Sequence, residues 1–312
     1  MASGHNLELL NNLSRAQAER LAYIDFWLYF MGELGRADIT ARFGTAPAGA
    51  TRDIALYKEI APTNINFHTS GKTYRPSAAF QPVFDHPPER ALTALAKGFG
   101  EGVALEQQSL VRCDFPAALG LPRVDVLAPL TRAIHRQLPV RMGYCSNTSG
   151  ISERIVIPFA LVDTGLRWHV RAFDRKSLSF RDFVLTRMSG VEVLEGDEVR
   201  STESPEHDVQ WSRVIELELV PHPARERQEV VQMDYGMEAG VLRVRARGAT
   251  AGYMLRRWSV DCSGDHRLVG LEYALWLRDP LSLYGAETAL LAPGYQDPRG
   301  ALPPASPSRA QK

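Results

Sequence analysis

Two groups of residues in this 312-residue chain have the types and spacing to meet a phosphate or a base. The first is Ala48, Gly49, Thr51 and Arg52, with Ala55 following. On a helix from about Pro47 to Ile60 they lie away from an apolar stripe of Ala50, Ile54 and Tyr57. An arginine there forks onto guanine, a threonine bonds a phosphate or base edge, and an alanine rests against a thymine methyl. Small residues near the helix start let it approach a groove closely. His68, Thr69, Ser70 and Lys72 crown the alternating run 64–75, which predicts a hairpin turning at Ser70-Gly71. They are candidates for backbone or minor-groove contact, Lys72 foremost. The plainer alternative makes Arg52 and Asp53 ordinary surface charges.

The second group lies between Arg141 and Arg187, where eight basic residues face only four acids, Glu153, Asp163, Asp174 and Asp182. Period-two alternation puts His169, Arg171 and Phe173 on one strand face, and Trp168, Val170 and Ala172 on the other, with Trp168 expected in the core. It also places Arg181, Phe183, Leu185 and Arg187 together. Arg154, His169, Arg171 and Arg181 are candidates to converge on an anion, since guanidinium forks suit phosphate. Tyr144 and Phe173 offer stacking surfaces for a base. The alternative is a scaffold in which these arginines pair with Asp163, Asp174 and Asp182 across the sheet.

The elements that must hold these residues follow from pattern. Residues 7–32 predict a first helix, with Ser14 as N-cap and Gln17 completing a capping box. Its dense aromatics suit either a dimer contact or burial within the domain. Gly35 to Phe43 predicts a short helix, broken by Gly44-Thr-Ala. Two short helices, a tight turn and a small ribbon predict a winged helix-turn-helix. Pro76, Pro82, Pro87 and Pro88 mark its end. Helices are expected at 89–98 and from Val124 to Leu138, and a strand at 103–108. Short strands from Val140 to Leu194 predict a small barrel or a strongly bent sheet. Gly196 to Asp208 reads as an acidic, polar linker or surface loop. A small α+β unit follows from Ser212, in which Arg243, Arg245 and Arg247 share one strand face. That face suits a ligand or partner surface, or simple solvation. The domains are thus expected at 1–80, 81–137 (a helical linker and dimerisation region), 138–200 and 212–290, with a disordered tail at 291–312.

Composition narrows the class. Thirty-six basic and 36 acidic residues give no net charge, and the first 80 residues carry a net of only plus one. A phosphate-neutralising surface then depends on placement, with Arg42, Arg52, Lys58, Lys72 and Arg75 on one face and a homodimer doubling it. Cys113, Cys145 and Cys262 stand far apart, which suits a reducing cytoplasm. No apolar stretch is long enough to cross a bilayer, and the N-terminus lacks a secretory pattern. No phosphate-cradling loop, dinucleotide fingerprint or metal-spaced His/Cys cluster is present, so no cofactor or metal and no enzymatic activity are expected. A nucleic-acid-processing enzyme is the distant alternative.

Several motifs carry a family resemblance. Arg167-Trp-His-Val-Arg-Ala-Phe173, then Phe180-Arg-Asp-Phe-Val-Leu-Thr-Arg-Met188, resembles a WYL domain, preceded by the matching Arg154-Ile-Val-Ile-Pro158. The triplet that names the family is Trp168-His169-Val170 here. Arg52 to Asn64, Gly71 to Ser77 and Phe80 to Phe84 resemble the subgroup controlling bacterial anti-phage defence operons, the BREX and CBASS regulators. The resemblance spans about residues 10–285. It implies a multidomain α+β protein: an N-terminal winged helix-turn-helix, a central Sm-like β-barrel (WYL) and a C-terminal α+β extension (WCX). It implies a cytoplasmic bacterial homodimer, nucleoid-associated when on DNA, that represses its operon at an inverted repeat in double-stranded promoter DNA. An activator would share the architecture. A nucleotide or single-stranded nucleic-acid effector is implied at the barrel, and position carries its pocket onto Tyr144, Ser146, Arg154, His169, Arg171 and Arg181.

Overall fold

A computed structural model describes Leu10 and residues 12–99, 109–114 and 119–299. The chain forms two compact units, Met1–Pro116 and Ala117–Lys312. The expected strand at 103–108 lies outside the described residues. Among those residues, no helix is long and apolar enough to cross a membrane.

In the first unit, α1 (Arg15–Phe26) starts at the expected capping box. The Ser14 hydroxyl accepts the Gln17 N–H, and the Gln17 side chain accepts the Ser14 N–H. The aromatic run after it winds as a π-helical turn, Trp27–Met31, closed by Gly32 N–H donating to the Trp27 carbonyl at 3.1 Å. α2 (Arg36–Phe43) ends at Gly44, whose φ of 63° is the left-handed conformation a helix stop favours. α3 (Pro47–Ile60) begins with proline at its first turn, where the missing N–H costs no helix bond. Leu21, Ile24 and Leu28 pack against Ile39, Ala50, Ile54 and Tyr57. Each such buried aliphatic contributes about 1.5–3 kcal/mol. The expected hairpin forms from β1 (Ile65–His68) and β2 (Thr73–Pro76). Leu34 and Tyr74 exchange backbone hydrogen bonds at 2.8 Å, tying the hairpin to the entry of α2. The aromatics serve mainly the domain interior: Tyr23 and Phe26 are buried, while Tyr29 stays half-exposed.

The segment 81–137, read from sequence as one linker, divides between the units. α4 (Pro88–Lys97) belongs to the first. α5 (Val124–Arg136) belongs to the second, where Val126, Leu130 and Ala133 cover a five-stranded antiparallel sheet. That sheet contains β3 (Val140–Ser146), β4 (Gly150–Asp163), β5 (Trp168–Asp174), β6 (Ser179–Val184) and β7 (Met188–Val193). Its order is β6-β5-β4-β3-β7. Among the described residues the outer strands β6 and β7 are not paired, so the sheet is not closed into the expected barrel. Register shifts between Pro158 and Ala160 and between Arg141 and Gly143 interrupt its ladders. The run after Val184 leaves the strand as a 3-10 turn, Leu185–Arg187, so the expected strand through Met188 is shorter. Trp168 is 38% exposed rather than core, because the strand starts there, beyond the apolar patch.

Residues 196–208 are not a free linker. Glu203 and Asp208 are buried, each taken up by an arginine of the sheet unit. A one-turn helix α6 (Val209–Ser212) leads into β8 (Val214–Pro221), followed by α7 (Gln228–Asp234), β9 (Leu242–Arg247) and α8 (Ala251–Arg257). With β10 (Val260–Asp261) and β11 (Leu275–Leu277) they form a sheet of order β10-β11-β8-β9. Gly252 of α8 abuts Thr288 so closely that a Cβ would lie 1.8 Å from its carbonyl oxygen. The expected tail is corrected at its start: Ala292 and Tyr295 are buried in this core.

Candidate nucleic-acid interface and sensing surface

On α3 the apolar positions fix which side chains face out. Ala50, Ile54 and Tyr57 are buried, and Ala48, Thr51, Arg52, Ala55 and Lys58 are exposed. The Thr51 hydroxyl donates to the Pro47 carbonyl at 3.0 Å, and Arg52 Nε donates to the Ala48 carbonyl at 3.4 Å. Both side chains lie along the outer face. Gly49 is half-buried near Thr45. Asp53 is not a surface charge. It is 6% exposed and held by both guanidinium nitrogens Nε and Nη2 of Arg20, at 2.7 and 3.2 Å.

At the hairpin tip, Thr69, Ser70 and Lys72 are exposed and His68 is half-buried, its Nδ1 3.2 Å from the Ser70 hydroxyl. Lys72 takes φ of 51°, which completes the turn. Arg42, Lys58 and Arg75 are also exposed, with Arg75 paired to Glu33 at 3.3 Å. Beneath the helix, Asp25 is fully buried. It accepts the Tyr57 hydroxyl at 2.5 Å, the N–H groups of Val83 and Phe84, and His86 Nε2 at 2.8 Å. Burial and the adjacent carboxylate push the Tyr57 phenol far up. One carboxylate thus joins α1, α3 and the strap 83–86.

In the five-stranded sheet, strand parity separates the six expected pocket residues. The register pairs Met142 with Arg154, Tyr144 with Ser152, Ser146 with Gly150, and Ala172 with Arg181. Tyr144, Ser146, Arg154 and Arg181 therefore share the face that also carries Val156, Val170 and Phe183. Arg154 Nη1 donates to Asp174 at 2.8 Å, and the Ser177 hydroxyl donates to the same oxygen at 2.8 Å. Arg181 Nε donates to the Ser177 and Ser179 hydroxyls at 2.8 and 3.2 Å. The result is one polar chain, Arg154–Asp174–Ser177–Arg181. Among the described residues the side-chain hydrogen bonds of Arg181 leave from Nε, and the residue is exposed. The Tyr144 hydroxyl is engaged, accepting the Val184 N–H at 3.2 Å.

His169 and Arg171 are not brought to that set. They lie on the opposite face, against the C-terminal sheet unit. Arg171 is 1% exposed and donates to Asp208, Asp182 and Glu287 at 2.8, 3.2 and 2.9 Å. Tyr253 of α8 donates to Asp182 at 3.3 Å and lies beside the His169 ring at 5.2 Å. Burial pushes the Asp182 carboxyl up to about 6 against the pull of Arg171. Burial lowers the His169 pKa, and among the described residues its Nδ1 has no hydrogen-bond partner.

Comparison with known proteins gives these geometries a context. The BrxR transcriptional regulator winged helix-turn-helix domain matches residues 16–96, the WYL domain 125–193, and the BrxR C-terminal dimerization domain 214–283. The DNA-binding transcriptional repressor CapW of Pseudomonas aeruginosa is 30% identical over 280 residues, 85% of this chain and 90% of its own. The chain belongs to the BrxR/CapW family of WYL-domain transcriptional regulators. CapW of Escherichia coli strain KTE188 is 29% identical over 85% of this chain and 90% of its own. CapW of Stenotrophomonas maltophilia is 29% identical over 78% and 84%.

All three matched domains of this BrxR/CapW protein are regulatory. The dimerization domain matches 214–283, not the 81–137 region expected to dimerise. There, Arg243 pairs with Glu218 and Arg247 lies over the Trp211 ring at 4.4 Å, so two of the three arginines on that strand face are engaged within the domain. The alternative of arginines paired across the sheet holds for Arg154 with Asp174 and Arg171 with Asp182, while sequence reasoning missed Asp25, Ser177, Asp208 and Tyr253. Asp25, Asp208 and Tyr253 take their roles from partners distant in sequence, and spacing along one strand or helix carries no such signal.

Proposed function

We propose that this chain is a homodimeric, sequence-specific repressor of a phage-defence operon, with α3 reading the major groove of an inverted repeat in promoter DNA. The relatives are DNA-binding transcriptional repressors, and the outward face of α3 carries the reading. Ala48, Gly49 and Ala55 keep that face low, Arg52 supplies a guanine fork, and Thr51 supplies a hydroxyl. His68, Thr69, Ser70 and Lys72 meet the backbone beside it. The C-terminal domain supplies the dimer, so two copies of α3 match the two halves of the repeat.

Release of repression is assigned to a nucleotide or single-stranded nucleic acid on the sheet face of Tyr144, Ser146, Arg154 and Arg181. Arg181 offers a fork to phosphate, and Arg154 holds the polar chain beneath it. His169 and Arg171 are assigned to the junction with the C-terminal domain instead.

The test is a gel-shift titration on DNA upstream of the protein's own gene, with scrambled duplex as control and salt fixed. Arg52→Ala is expected to cost about 1–3 kcal/mol of specific binding, and Lys72→Ala to reduce the salt slope by about one. Equal operator affinity in wild type and both variants would remove α3 and the wing as the reading surface.

A further inference from the structure

The first unit contains a cavity of about 700 Å³ between α1, α4 and the strap that follows the hairpin. Small-molecule sites typically span about 300–1,000 Å³ and are mostly apolar with a few placed polar groups. Phe26, Phe84 and Phe99 wall this one, with Ala22, Ala91 and Ala94 between them. Phe99 packs its ring on Phe26 at 5.0 Å, making a continuous aromatic surface. Three carboxylates, Glu19, Asp85 and Glu89, also line the cavity, against a single guanidinium, Arg90. Aromatic faces attract cations through their quadrupole, and the carboxylates add charge of the same preference. An anionic ligand is disfavoured on both counts.

The cavity is linked to α3 through one buried carboxylate. His86 forms part of its wall and bonds Asp25 through Nε2 at 2.8 Å. Asp25 in turn accepts the hydroxyl of Tyr57, which sits on α3. The strap and α3 therefore share one buried carboxylate, and anything that braces the strap braces that helix.

We propose that this cavity is a second effector site, separate from the WYL sheet, that takes a lipophilic organic cation and tightens operator binding when filled. Its coupling half rests on the reading of α3 as the DNA-reading helix, while the binding half does not. A ligand spanning Phe84 and Phe99 orders the strap before DNA arrives. Less conformational freedom is then lost as α3 docks, which makes the two binding events cooperative.

The experiment uses the full chain and tetraphenylphosphonium as the probe, with tetraphenylborate as an anion of the same shape. Isothermal titration is expected to show saturable binding of the phosphonium, one per protomer, and none of the borate. The pair Glu19→Gln and Glu89→Gln is expected to weaken it about tenfold with an unchanged circular dichroism spectrum. Saturating phosphonium is expected to lower the operator Kd about fivefold, and Tyr57→Phe to keep probe binding while losing that gain. Absence of saturable binding, equal binding of the borate, or indifference to the glutamine pair overturns the site. Normal probe binding with an unmoved operator Kd overturns the coupling. If no operator binding exists at all, the calorimetry still decides the site, so the two failures are told apart.

Discussion

On one face of the five-stranded sheet, Arg154 and Arg181 are strung on Asp174 and two serines, with Arg181 open to solvent. On the other, Arg171 is enclosed by three carboxylates from three separate segments. Both Arg171 and Arg181 come from neighbouring strands, and Arg171 even sits directly opposite Asp182, the residue after Arg181. Their different roles follow from what lies beyond each face. Asp208 and Glu287 close over one side, whereas on the other α5 covers the apolar centre around Val156 and Val170, and Arg181 stays exposed. A guanidinium held through all three nitrogens by carboxylates is a structural joint, and one held through Nε alone has donors to spare for a ligand.

The comparison breaks most visibly if Arg171 is removed. Arg171→Ala leaves Asp182 and Asp208 buried without their cation, and is expected to cost about 3–5 kcal/mol in urea unfolding. A loss under about 1 kcal/mol, the size typical of an exposed pair, would place the joint elsewhere.

Asp182 sharpens the same face through pH. Its folded-state pKa of about 6 lies above its ordinary 3.8, so the folded protein holds this proton where the unfolded chain releases it. The stabilisation is present below about pH 3.8 and is lost as pH rises towards 6, a change on the order of 2–3 kcal/mol. Subtracting the stability curve of Asp182→Asn from that of wild type isolates this slope. A flat difference between pH 4 and 6 would contradict it.

Arg154→Ala tests the open face, where Asp174 keeps the Ser177 hydroxyl and the Lys176 N–H as partners. A cost of about 1–2 kcal/mol is expected, with operator binding retained and effector response lost. Arg181→Ala is the smallest change. Melting is expected to move by no more than about 0.5 kcal/mol, while derepression in cells fails. Normal derepression with Arg181→Ala would return that face to a purely structural role.

Much of this architecture is legible in the sequence where local rules suffice. The stripe Ala50, Ile54, Tyr57 fixes the outward face of α3, because helical period alone decides it. Ser14 and Gln17 announce the start of α1 for the same reason. Strand alternation rightly separates His169 and Arg171 from Val170 and Ala172. It does not reveal that Arg154 and Arg181 share the Val170 face, since that requires the register between strands. Trp168 misleads because hydrophobicity is silent about where a core ends. The acidic stretch at 196–208 misleads because composition cannot say that Arg171 and Arg175 are waiting for its carboxylates. Asp25 is invisible for a related reason: its four partners are spread from Tyr57 to His86.

The irregularity at Phe159 has its own consequence. Before it, even-numbered residues of β4 pair with even-numbered residues of β5; after it, Leu161 pairs with Val170 and Val162 with His169. The strand thus changes parity midway, and Val156 and Leu161 both reach the same core despite their odd separation. An inserted or deleted residue in a strand ordinarily turns every later side chain inside out. Here the inversion is already built in. It divides β4 into two stretches with separate bookkeeping, one opposite Arg154's network and one opposite the junction with the C-terminal domain. A residue gained or lost near the bulge can be absorbed there without turning the side chains at the other end of the strand inside out.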